Sequence, residues 1–102
     1  MSHHEITSKE DFDAAVKTEG KYVFILAYEN TPPPNADEYA KKFEGKVACY
    51  QFDVGKGPKA KEVHGITATP CALIYKDGQL QKKVPGMAPA EMKEVGMMLS
   101  SA

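Results

Sequence analysis

Hydrophobic positions along this chain follow two rhythms that take turns. Lys21 to Tyr28 (KYVFILAY) is apolar almost without interruption. An extended segment apolar on both faces belongs in the middle of a sheet, covered above and below. Lys46 to Val54 (KVACYQFDV), Cys71 to Tyr75 (CALIY) and Gln79 to Val84 read as further strands. Between the last two, Lys76-Asp77-Gly78 is a hairpin signal in which glycine supplies the positive φ. Glu5-Ile6-Thr7 is a short extended start.

The second rhythm is helical. Ser8, with Asp11 three residues on, resembles a capping box, and it opens a segment through Phe12, Ala15 and Val16 that ends before Gly20. Asn35 offers an N-cap with Glu38 at its third position, for a helix carrying Tyr39, Ala40 and Phe43 as far as Gly45. Gly57-Pro58 starts a short helix reaching Val63-His64 before Gly65. Pro89 opens a final amphipathic helix with Met92, Val95, Met98 and Leu99. Glu29 to Pro34 ends in three prolines, which lack donors and fix φ, so it is a stiff loop. The order βαβαβαββα predicts an α/β fold: a central mixed sheet flanked by helices on both faces. No repeat, low-complexity tract or linker divides the chain, so residues 1–102 are expected to form one domain, which must bury a large share of its apolar side chains.

Charge narrows the partners. Lysines, with no arginine, supply all 13 basic residues against 14 acidic ones, a net charge of −1. The planar fork that grips phosphate in two places is missing, so nucleic acid is not expected as a partner. No apolar run approaches a membrane span, and Met1-Ser2-His3-His4-Glu5 has neither a basic nor an apolar leader region. The expectation is a soluble cytoplasmic protein whose two cysteines are reduced thiols.

From Gly65-Ile66-Thr67-Ala68-Thr69-Pro70 onward, through the apolar strand, Lys76-Asp77-Gly78 and Pro85-Gly86, the sequence resembles the C-terminal half of thioredoxin. The leading β-α-β-α-β matches in length and order. The resemblance implies a thioredoxin-like fold, a cis proline at Pro70 and a groove beside it where extended polypeptides lie. Thioredoxins carry Trp-Cys-Gly-Pro-Cys in the loop after the second strand, where two thiols must come close enough to bridge. Here that loop is Glu29-Asn30-Thr31-Pro32-Pro33-Pro34, the position of the family's buried acid falls on Phe24, and Glu29 stands near the place of the tryptophan. Dithiol–disulfide exchange of the usual kind is therefore not expected.

What remains is a candidate binding groove, with no catalytic residue and no cofactor expected. Tyr28 as an aromatic anchor, Glu29, Asn30, Thr31 and Pro32 to Pro34 would form one rim, and Thr69, Pro70, Cys71 and Gly86 the other. A preorganised proline loop costs little entropy on binding. The expected occupant is a protein partner or a second copy of the chain. An alternative makes Cys71 a lone reactive thiol, as in a thiol enzyme or redox sensor. Cys49 reads as a small packing residue; the strand order that the resemblance implies sets it too far from Cys71 to bridge, which leaves an intermolecular bond through Cys71 as the open alternative. His3 and His4 near a free amine could take copper or nickel, a match that is often adventitious, and His64 reads as a helix-end residue, so no metal site is expected.

Overall fold

The computed structural model describes residues 4–31, 41–43, 45–56, 62 and 65–100. Strand β1 (His4–Glu5) precedes helix α1 (Lys9–Val16), then come β2 (Tyr22–Tyr28), β3 (Val47–Asp53), a 3-10 turn (Val54–Lys56), β4 (Cys71–Lys76), β5 (Gln79–Pro85) and helix α2 (Pro89–Ser100). The five strands form one sheet in the order β1-β3-β2-β4-β5. β1 and β2 both run parallel to β3, while β4 is antiparallel to β2 and to β5. The mixed sheet expected from the sequence is present. The expected helices from Asn35 and from Gly57 fall largely outside the described residues.

KYVFILAY occupies the centre because it can face apolar neighbours on both sides. Phe24 and Leu26 point into one cluster, with Phe43, Val47, Cys49, Ile74, Val84 and the α2 residues Met92, Val95 and Leu99. Val23, Ile25 and Ala27 point into the other, with Phe12 and Ala15 of α1, Phe52, Ile66, Cys71 and Leu73. Val23, Ile25, Leu26 and Ala27 are wholly buried. α1 and α2 thus cover opposite faces of the sheet. Phe12 meets Phe52 edge-on, with ring centroids 5.5 Å apart.

Local signals act much as the sequence indicates, with two refinements. Ser8 caps α1 by accepting the Asp11 N–H at 3.1 Å. The return bond of a capping box is shifted: Asp11 Oδ2 accepts from the Thr7 N–H at 3.2 Å and the Thr7 hydroxyl at 2.9 Å, one residue before the cap. In the β4–β5 hairpin, Asp77 (φ 52°) joins Gly78 (φ 82°) in the left-handed region. Positive φ at both central residues is the twist a two-residue hairpin loop requires.

Candidate functional site

The strand register gathers the loops that carry the candidate groove at one end of the sheet. Tyr28 pairs with Asp53, Ala27 with Cys71, and Cys71 with Pro85. One step beyond these ladders, Pro70 stands opposite Tyr28 and Gly86 opposite Pro70. A row across the sheet therefore reads Asp53, Tyr28, Pro70, Gly86. The segments leaving β2, β3 and β5 and the one entering β4 all meet there. Loops at the carboxyl ends of parallel strands are where open α/β sheets place their binding crevices.

Each rim residue has a distinct setting. Glu29, Asn30 and Thr31 are exposed, Thr69 and Pro70 half-buried, and Gly86 exposed. The Thr69–Pro70 peptide bond is cis. At Gly86 (φ 73°) a Cβ would meet nothing within 4 Å among the described residues. Pro32, Pro33 and Pro34 lie outside the described residues.

Tyr28 is not the exposed aromatic anchor that its place at a strand end suggests. It is 6% exposed. Its hydroxyl donates to the Glu5 carboxylate, 3.1 Å from one oxygen and 3.3 Å from the other. The same carboxylate accepts from Gln51 Nε2 at 2.9 Å, which ties β1, β3 and β2 together below the rim. Burial, followed by the Glu5 hydrogen bond, pushes the phenol up to about 12.

Cys71 is also enclosed, with no exposed surface. Its thiol lies among the residues under α1, and Sγ is 3.8 Å from the Ala72 carbonyl. Burial raises its pKa, against smaller lowering effects from Lys83 and a backbone contact at Val84. A protonated thiol without solvent access is a poor nucleophile, which weighs against the lone-cysteine reading. Cys49 belongs to the opposite face, and burial pushes it up to about 11. Both thiols are free. With β2 between their strands and their side chains on opposite faces, they cannot bridge.

Two features at this end were not singled out as site residues by sequence reasoning. Asp53 Oδ1 accepts the Gly55 N–H at 2.8 Å and the Asn30 N–H at 3.2 Å, joining the loops that leave β3 and β2. The first bond had a legible signal, because an aspartate commonly accepts from the backbone two residues on. The second, across 23 positions, had none. Lys83 Nζ donates to the Gly65 carbonyl at 2.8 Å and steadies the turn before Thr69. Among the described residues, no three His, Cys, Asp or Glu side chains are grouped to hold a metal ion, and no helix is long and apolar enough to cross a membrane.

Comparison with known proteins bears on this arrangement. No family model matches the chain. Thioredoxin of Staphylococcus aureus is 31% identical over 85 residues, a stretch covering 79% of this chain and 82% of that protein. M-type chloroplast thioredoxin of Pisum sativum is 34% identical over 56 residues, or 55% of this chain, and the match spans only 33% of that relative's length. In solved structures, thioredoxin of Malassezia sympodialis superposes with a TM-score of 0.78 at 24% identity, covering 97% of this chain and 91% of its own. Mitochondrial thioredoxin 3 of Saccharomyces cerevisiae gives 0.75 at 21% identity, covering 90% and 91%. By the extent of the bacterial match and the shared architecture, the chain belongs to the thioredoxin family.

Proposed function

We propose that residues 1–102 form a single thioredoxin-like domain that has lost dithiol–disulfide exchange and serves as a protein-binding or adaptor module, with a protein partner or a second copy of itself as ligand. The proposed binding surface is the groove between the Glu29 to Pro34 loop beside Tyr28 and the Thr69-Pro70 turn, with Cys71 and Gly86. The observation that carries this reading is the placement of the two cysteines, both buried in strands, on opposite faces, with β2 between them. Exchange needs two thiols that can approach and one that ionises readily. The loop after β2 offers Glu29-Asn30-Thr31-Pro32-Pro33-Pro34, with neither a thiol nor an imidazole to serve in their stead. The relatives' name suggests a redox role, and the reading departs from them at this chemistry while keeping their scaffold. A cytoplasmic setting, where both thiols stay reduced, is part of the proposal.

Affinity capture with immobilised wild-type chain and a Thr31→Arg variant tests the groove. Thr31 is exposed on the rim, so the variant should keep its fold by circular dichroism. The proposal expects a polypeptide, or soluble copies of the chain itself, retained by the wild type and lost from the variant. Equal retention by both would place binding elsewhere.

A further inference from the structure

The loop that replaces the catalytic segment is held by a device built from β3. Asp53 Oδ1 takes two amides at once, from Gly55 at 2.8 Å and from Asn30 at 3.2 Å. Asn30 is held in the left-handed region at φ 74°. The Thr31 N–H turns back to the Glu29 carbonyl at 2.9 Å, so the chain makes a tight reversal at this point. Gly55 lies directly against it: a Cβ there would be 3.0 Å from Asp53 Oδ1, 3.3 Å from Glu29 Cγ and 3.8 Å from Asn30 Oδ1. The contacts to Asp53 Oδ1 and Glu29 Cγ are tight enough that those side chains would have to give by a few tenths of an ångström. A carboxylate that accepts from two backbone donors in separate loops, beside a glycine where a Cβ would crowd two side chains, holds the backbone as it leaves β2.

We propose that Asp53 and Gly55 form a seat for Glu29-Asn30-Thr31, with Asp53 as a positioning residue that sets the backbone of the groove rim before any partner arrives. The inference rests on the groove reading for its functional meaning, and its geometry stands apart from that reading. Preorganising a rim lowers the ordering cost that binding would otherwise carry. The hydrogen bonds are charge-assisted, so losing the acceptor has a larger local effect than losing a neutral one. The seat needs an oxygen at position 53, and a Cβ at position 55 would press on it.

Amide hydrogen exchange by NMR on the full chain tests it, comparing wild type with Asp53→Ala, Asp53→Asn and Gly55→Ala. Asp53→Ala should speed exchange at Asn30 and Gly55 roughly ten-fold, while the wholly buried Leu26 and Leu73 keep their protection. Asp53→Asn retains an acceptor oxygen and should restore most of the protection, a rescue that a merely volume-filling role would not produce. Gly55→Ala should shift the Glu29 and Asn30 amide resonances, and it reads the seat independently should Asp53→Ala fail to fold. Unchanged exchange at Asn30 in Asp53→Ala, or acceleration shared equally by Leu26 and Leu73, would overturn the seat. A failed capture experiment with exchange at Asn30 still responsive to Asp53 removes the binding reading and leaves the seat; the reverse pattern removes the seat alone.

Discussion

Buried single side chains, at the groove end and in the core, are governed more by burial than by charge. Tyr28 and Cys49 both hold their protons more tightly in the folded chain, because burial penalises the ionised form. The sign follows directly. A group whose folded pKa is raised lends stability that is complete below its unfolded value and is lost as pH rises through the folded one. For Cys49 that window runs from the ordinary 9.0 to about 11, and for Tyr28 from 10.0 to about 12. Urea midpoints measured from pH 8 to pH 11 should therefore decline above pH 9, and Cys49→Ala, whatever its stability at pH 8, should decline less steeply. Parallel curves for the two proteins would show that the Cys49 thiol is not shielded as its position under α2 implies.

At the level of elements, the described fold rests on β2 and β4, buried on both faces, with α1 and α2 applied from opposite sides. α2 turns Met92, Val95 and Leu99 inward, with Val95 and Leu99 wholly buried, while Met97 stays 61% exposed. Leu99→Ala should cost about 2–5 kcal/mol in urea denaturation, because a wholly enclosed leucine loses both transfer energy and packing. Met97→Lys should change stability by no more than about 0.5 kcal/mol. Equal effects would mean that α2 does not pack by this face. These elements were legible in the sequence because each is encoded locally: KYVFILAY by its continuous hydrophobicity, Ser8 by its place before a helical stripe, Asp77-Gly78 by its backbone preference. What was not legible depends on partners distant in the chain. Tyr28 looks like an exposed anchor until Glu5, 23 positions earlier, accepts its hydroxyl. Asp53 looks like one more surface charge until Asn30 donates to it across the same separation. Even the shifted capping bond follows this rule on a small scale, since which amide Asp11 reaches depends on how Thr7 approaches the helix.

For the molecule as a whole, the proposed function separates scaffold from chemistry. The sheet order, the helices on both faces and the gathering of loops around Pro70 are retained, and they account for a likeness to thioredoxins that covers nearly the full chain. A fold of this kind hosts whatever its site residues permit. Here the described rim offers the exposed Glu29, Asn30 and Thr31, and both thiols are buried in the core. The measurement that tests this separation most directly is insulin reduction, followed by turbidity, with dithiothreitol or a thioredoxin reductase system as electron source. The rate should be indistinguishable from that of the reductant alone, and unchanged in a Cys49→Ala, Cys71→Ala double variant. Turnover comparable to a thioredoxin, abolished in that double variant, would contradict it.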